Sequence, residues 1–346
     1  TEGTAAAARL VFGRNIFNSR NLTFEPNVNM ATPPNYRLGP GDEVIIDVWG
    51  ANEASMRKTI SPEGNIMVNL LGPVYLNGMT VAEANSFLKK ELSKIYSQVS
   101  GTNPESEVRL TLGQIRSIQI NVMGEVAVPG TYMLSSLSTV FHALYRAGGV
   151  NNIGSLRSIR VMRGSNCIAD LDVYDYILKG KLLDDIRLME GDVIIVPPYE
   201  KLVDISGKVK RPMYYEMKKN ETLVTLIKYA GGFSGDAYTK GVRLVRQSGR
   251  EYKLFNIDEM DYSVFHLDDG DAVTVGSILD RFENRVEVRG AVYRSGMYEL
   301  SGNMNTVKQL IQKAEGLKGD AFLNRAQLFR EHEDLTLEVI PIDLKG

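Results

Sequence analysis

The residues in this chain that could do chemistry are few. There are three histidines, His142, His266 and His332, one cysteine, Cys167, and adjacent carboxylates at Asp184-Asp185 and Asp268-Asp269. His332-Glu333 matches the start of a zinc-protease helix, but the second ligand would fall at position 336, which is Thr. Gly232-Phe233-Ser234-Gly235-Asp236 approaches the turn that exposes a nucleophilic serine, yet its last glycine is Asp and a helix end replaces the required strand. A loop after a helix accounts for it better, and no Ser-His-Asp set can be assembled. His142 and His266 read as packing or surface residues. The Asp pairs precede turns at equivalent places without the oxygen-rich spacing of a calcium loop, so they read as solvated carboxylates. Cys167 alone forms neither an intrachain disulfide nor a cysteine metal cluster, and reads as an inert thiol. No glycine-rich run ends in Gly-Lys-Ser/Thr, so there is no phosphate loop. The sequence implies no enzyme and no cofactor.

Binding residues are easier to name. Lys208, Lys210 and Arg211 sit in one hairpin with Tyr214 and Tyr215 just behind. Such a group could hold an acidic sugar chain by ion pairs and ring stacking, or be a solvated hairpin with its tyrosines packed in a sheet. The arginines at 160, 163, 243, 246, 325 and 330 suggest a repeated polar strand face, either an intersubunit or inter-repeat surface or simply wet. Forty basic against 42 acidic residues give a net charge of −2, so nucleic acid is excluded as the main partner.

What must position these residues is a set of repeats. The 346 residues exceed a single core, and domains of roughly 100 residues each are expected. Hydrophobic residues at 43% and charged residues at 24% are ordinary for a globular protein. No stretch reaches the ~20 apolar residues of a membrane helix. Three segments align: Val122-Met123-Gly124-Glu125-Val126, Ile205-Ser206-Gly207-Lys208-Val209 and Val288-Arg289-Gly290-Ala291-Val292, with their glycines 83 residues apart twice over. Each is followed by a helical segment, at 139–147, 222–230 and 306–314, opened by Thr as N-cap and closed at Gly148-Gly149, Gly231-Gly232 or Glu315-Gly316. Alternating strands come next, at 158–163, 241–246 and 325–330.

The first two copies close with a Leu-x-x-Gly-Asp turn, Gly191-Asp192 and Gly270-Asp271, and an apolar strand; the third stops at Gly346 before either, and reads as incomplete. Glycine admits positive φ there and Asp can bond the turn backbone. Gly41-Asp42 opens a different module: the same turn and an alternating strand, a Ser61-Pro62-Glu63-Gly64-Asn65-Ile66 hairpin, and a helix opened by Thr80. The expected fold class is α+β: a small mixed β-sheet domain followed by tandem repeats. The expected domains are an arm at 1–35 with a short helix near Ala5 to Phe12, the first module at 36–116, and repeats at 117–199, 200–278 and 279–346.

The run at 36–50, with Ser61-Pro62-Glu63-Gly64, Leu71-Gly72-Pro73-Val74 and Gly78-Met79-Thr80-Val81-Ala82-Glu83-Ala84, resembles the polysaccharide export domain of Wza-type outer-membrane lipoproteins. The three repeats resemble SLBB (soluble-ligand-binding β-grasp) domains. The arm, with Phe12-Gly13-Arg14-Asn15-Ile16-Phe17 and Phe24-Glu25-Pro26-Asn27, is similar to the Bacteroidetes-type multi-SLBB variety. The resemblance implies a subunit on the periplasmic face of the outer membrane, assembled with itself into a ring. Capsular or exopolysaccharide would pass through its lumen, and an inner-membrane polysaccharide co-polymerase and tyrosine kinase system would face it. Neither the family's lipidated cysteine nor its C-terminal amphipathic helix falls within these residues, so the anchor is expected outside this chain. Two other readings stand beside this one: a monomeric periplasmic saccharide or small-ligand binder using its SLBB clefts, and an enzyme acting on the polysaccharide through convergent carboxylates.

Overall fold

The computed structural model describes residues 10–17, 32–50, 53–69, 71–93, 106–181 and 186–345. The chain forms two compact units, Thr1–Ser277 and Ile278–Gly346. Among the described residues no helix is long and apolar enough to cross a membrane. The fold is α+β.

In the first module, β1 (Glu43–Gly50) lies between β2 (Ala54–Thr59) and β5 (Ser106–Leu112), antiparallel to both. Alternation along β1 sends Val44 and Ile46 into the core. The Ser61–Asn65 turn forms as expected, but its flanking strands do not pair with each other. Instead β3 (Asn65–Val68) pairs with β4 (Gly72–Tyr75), placing Ile66 and Val74 opposite each other inside. The helix α1 (Val81–Ser93) starts at a reciprocal cap: Thr80 N–H donates to Glu83 at 2.8 Å and Glu83 N–H to Thr80 Oγ1 at 3.2 Å. It buries Ala84, Leu88 and Leu92 on the sheet. Each leucine contributes about 1.5–3 kcal/mol by leaving water.

The first repeat is a five-stranded sheet in the order β7-β6-β10-β8-β9, built from β6 (Ser117–Gly124), β7 (Gly130–Ser135), β8 (Ile159–Arg163), β9 (Asn166–Leu171) and β10 (Val193–Val196). The helices α2 (Val140–Arg146) and α3 (Val173–Lys179) belong to it. The second repeats the order as β12-β11-β15-β13-β14. Its elements are β11 (Leu202–Gly207), β12 (Met213–Glu216), α4 (Leu223–Tyr229), β13 (Gly241–Gln247), β14 (Tyr252–Asp258) and β15 (Ala272–Val275). In both, the last strand enters the middle of the sheet, parallel to the first strand and antiparallel to the third. That central strand is buried by neighbours on either side, which is why it reads as a continuous apolar run. One contiguous core runs through both repeats and takes in Phe12 and Phe17 of the arm.

The expected arm helix is not what forms at Leu10 to Phe12. Val11 makes an isolated parallel bridge to Tyr214, and the arm's helical turn is a 3₁₀ turn at Arg14–Phe17. Ala5 to Arg9, and Phe24 to Asn27, lie outside the described residues.

The Ile278–Gly346 unit holds β16 (Arg285–Val288), β17 (Gly296–Glu299), α5 (Val307–Lys313), β18 (Ala326–Glu331) and β19 (Leu337–Ile342). Its strands pair only as the hairpins β16-β17 and β18-β19 among the described residues. Thr306 caps α5 reciprocally with Gln309, and Glu315 itself takes the left-handed conformation (φ 61°) ahead of Gly316.

Candidate functional site

The Gly-Asp turns are built alike in three places. Asp42, Asp192 and Asp271 are at most 1% exposed. Each carboxylate accepts the N–H three residues upstream: Gly39 at 2.9 Å, Met189 at 2.8 Å and Asp268 at 2.8 Å. The glycine before each aspartate has φ between 78° and 92°, which only glycine adopts without strain. Each aspartate then meets an arginine. Arg163 Nε and Nη2 donate to the two oxygens of Asp192, both at 2.8 Å. Arg246 does the same to Asp271 at 2.8 and 2.7 Å. Arg116 donates its backbone N–H (2.9 Å) and Nη1 (2.6 Å) to Asp42. A buried carboxylate needs such charge-assisted bonds, because unpaired it would cost several kcal/mol.

This overturns the single arginine face. A strand alternates sides at every residue, so Arg160 and Arg163, or Arg243 and Arg246, cannot share one. Arg163 and Arg246 fold back onto their own aspartates, while Arg160 and Arg243 are exposed on the outer face. Arg325 and Arg330 are exposed as well.

At the seam between the first module and the first repeat, the Tyr36 hydroxyl donates to Asp42 at 2.7 Å and lies 2.9 Å from Ser136 Oγ. Arg116 Nη1 donates to the same phenol oxygen at 3.2 Å, and Ser136 N–H to the Arg116 carbonyl at 3.0 Å. Burial pushes the Tyr36 phenol well above its ordinary value, so it stays a neutral donor.

The seam between the two repeats is denser. Arg157, 4% exposed, comes from the first repeat. It bonds Asp172 through Nε and Nη2 at 3.0–3.2 Å, and Glu221 of the second repeat through Nη1 at 2.6 Å and Nη2 at 2.9 Å. It also donates to the Glu216 carbonyl at 3.0 Å and the Tyr229 hydroxyl at 3.0 Å. Its guanidinium lies 4.6 Å from the Tyr174 ring centre and 5.1 Å from that of Tyr229. Burial acts to lower its pKa, but the Glu221 and Asp172 hydrogen bonds prevail and hold it fully charged. Burial likewise opposes ionisation of Asp172 and Glu221, yet the Arg157 bonds leave both carboxyls below their ordinary range. Glu216 is the exception: burial raises its pKa despite donors at Ser155 and Leu156.

The arm closes this seam. Phe12 N–H donates to the Tyr214 carbonyl (2.9 Å) and Tyr214 N–H to the Leu10 carbonyl (3.2 Å). The Phe12 ring sits edge-on to Tyr174 at 5.1 Å and beside Tyr215 at 5.3 Å. Arg14 Nη1 donates to the Asn151 and Gly154 carbonyls, and Phe17 stacks on Phe141.

The sugar-contact candidates are therefore divided. Tyr215 is fully buried, with its hydroxyl on the Arg211 carbonyl. Arg211 lies over the Phe12 ring at 4.7 Å and donates to the Tyr229 carbonyl. Tyr214 gives its backbone to the arm. Lys208 pairs with Asp236 at 2.5 Å, and Lys210 is exposed beside Gly231.

Elsewhere, the Ser234 hydroxyl donates to Asp236, whose other oxygen holds Lys208, which fixes a turn. His332 sits in the β18-β19 turn, 3.3 Å from Glu338. Cys167 is exposed. Asp184 and Asp185 lie outside the described residues. Among those described, no group of three or more His, Cys, Asp or Glu is placed to hold a metal.

The polysaccharide biosynthesis/export protein family model matches residues 30–111, and SLBB domain models match 119–196 and 202–255. The polysialic acid transport protein KpsD of Escherichia coli is 25% identical over 322 residues, covering 92% of this chain and 55% of that protein. The exopolysaccharide production protein ExoF of Rhizobium meliloti (strain 1021) is 24% identical over 132 residues, 35% of this chain and 30% of its own length. The chain thus spans about half the length of KpsD.

Proposed function

Because this chain belongs to the Wza-type polysaccharide export family, with an export domain followed by SLBB domains, we propose that it is the periplasmic part of an outer-membrane conduit for capsular or exopolysaccharide. It works by assembling with itself into a ring and letting polymer pass, not by turnover. The observation that carries this reading is the pair of buried seams. A wall around a moving polymer must not flex at its joints, and here export domain, first repeat and second repeat are joined through Tyr36-Asp42-Arg116 and Arg157-Asp172-Glu221. Large side chains stay exposed, among them Met133 (61%), Tyr252 (74%) and Leu254 (61%). They offer neighbouring copies apolar contact area.

The names of KpsD and ExoF support a polysaccharide as cargo, and polysialic acid is an anionic one. Of the basic hairpin, Lys210 and the Lys208-Asp236 pair remain at the surface for weak, exchangeable contacts with such a chain. An inner-membrane co-polymerase and tyrosine kinase system is the proposed partner at the inner end.

The test is negative-stain electron microscopy of the full-length, lipidated protein in mild detergent. Rings with a central opening are expected. Uniform monomers would overturn autonomous assembly and favour a saccharide-binding or scaffold role.

A further inference from the structure

Trp49 is the only tryptophan in the chain. It lies near the end of β1 and is 41% exposed, on the side of the export-domain sheet away from the buried Val44, Ile46 and Leu110. Alternation fixes which residues share that side. They include Asp47 on β1, Ser55 and Arg57 on β2, and Glu107 and Arg109 on β5. Ser55, Arg57, Glu107 and Arg109 are all exposed.

The strand register sets Glu107 directly across from Trp49, and Arg109 directly across from Asp47. Asp47 is nevertheless not the counter-ion of Arg109. Its carboxylate accepts the Ser55 hydroxyl, from the strand on the other side, at 2.6 Å. Arg57 lies 3.4 Å from Glu43. The Arg109 guanidinium makes no hydrogen bond or ion pair among the described residues. In this it differs from Arg116, Arg163 and Arg246, each of which is folded onto an aspartate. Arg109 and Trp49 are diagonal neighbours across the two strands, about 7–8 Å apart at the backbone and within reach of long side chains. An open indole and an unspent guanidinium with five donors therefore share one water-facing surface.

A contiguous apolar patch would suit a protein partner. Here a single aromatic ring is set among polar groups, which suits a ligand with an apolar ring face and polar edges. The unpaired guanidinium adds a preference for a carboxylate. We propose that Trp49 and Arg109 form a contact site for one acidic saccharide unit, its ring stacked on the indole and its carboxylate on the guanidinium. Glu107 sets the orientation, because it repels a carboxylate that Arg109 attracts. Asp47 and Ser55 are placed to bond ring hydroxyls. The ligand class rests on the export reading. A conduit must hold its cargo firmly enough to admit it and weakly enough to release it, so an affinity of about 1 mM is expected.

The only tryptophan makes the site its own reporter. The 346-residue chain is titrated with short oligosialic acid while Trp49 emission is followed, and the variants are titrated by calorimetry. A saturable emission change is expected. Arg109→Gln should weaken binding about tenfold. Trp49→Ala should abolish the heat of binding and leave the thermal melt unchanged, as befits a substitution on an open face. A neutral malto-oligosaccharide of the same length should bind about tenfold more weakly. No saturation up to about 10 mM, equal binding of the neutral sugar, or full affinity in either variant would overturn the site. An emission change that follows protein concentration without sugar would overturn it too, by showing that a second copy fills the face. Ring assembly is scored separately by electron microscopy, so rings together with a flat titration would remove this site and leave the conduit reading standing.

Discussion

Arg157 of the first repeat and Glu221 of the second form a two-pronged ion pair across 64 residues of sequence, Nη1 to Oε2 at 2.6 Å and Nη2 to Oε1 at 2.9 Å. Arg157→Ala would take the two-pronged guanidinium from Glu221 and leave Asp172 with Lys218, 2.9 Å away, as its cation. The expected loss is about 3–5 kcal/mol in denaturant unfolding, with the two repeats melting apart. Arg157→Lys should not restore it, because an ammonium cannot reach both carboxylates in a planar fork.

The same pair sets an acid limit. Asp172 and Glu221 are held below their ordinary values of 3.8 and 4.5. Their stabilisation is therefore present above those values and lost as pH falls through the depressed folded-state values. Glu216 acts oppositely: its raised pKa means that protonation on the way down relieves a buried charge. Thermal melts should show stability holding or rising slightly towards pH 5, then falling steeply below about 4. Asp172→Asn with Glu221→Gln should flatten the steep limb; an unchanged limb would refute the assignment.

The three repeat glycines should respond unequally to alanine. At Gly124 and Gly207 the added methyl collides with the Val196 and Val275 carbonyls, so failure to fold or a loss above about 4 kcal/mol is expected. At Gly290 only the positive-φ penalty applies, about 1–2 kcal/mol. Soluble yield and denaturation midpoints of the three variants decide it.

Phe12→Ala removes the ring packed against Tyr174, Tyr215 and Arg211. A cost of about 3 kcal/mol is expected, with the Tyr214 amide losing its exchange protection as the arm detaches. Protection of Tyr214 undiminished in the variant would show that the arm is held by other contacts.

Asp192→Ala should cost about 3–5 kcal/mol, since Arg163 and the Met189 N–H both lose their acceptor. Adding Arg163→Met to that variant should recover part of the loss, as removing both partners spares the stranded charge. Chemical denaturation of the single and double variants gives the coupling directly.

Short-range signals were legible in the sequence. The Thr-capped helices and the Gly-Asp turns depend on residues within a few positions of one another, where propensity, capping and alternation act, and the 83-residue period between Gly124, Gly207 and Gly290 shows on comparing such local segments. Polarity indicated that the aspartates bond turn backbone, but not that each is buried on an arginine 74, 29 or 25 residues away. Alternation along a strand even argued against grouping Arg163 with Arg160. Nothing local marks Arg157, Glu216 or Glu221 as seam residues, and the basic hairpin read as open to sugar because Phe12, some 200 residues earlier, carries no sign that it covers Arg211. Charges and aromatic rings look solvated until a distant segment is packed on them. The sequence alone determined the capped helices and the Gly-Asp turns, whereas the seams, which depend on side chains brought together by closing long loops, were decided only by the tertiary structure.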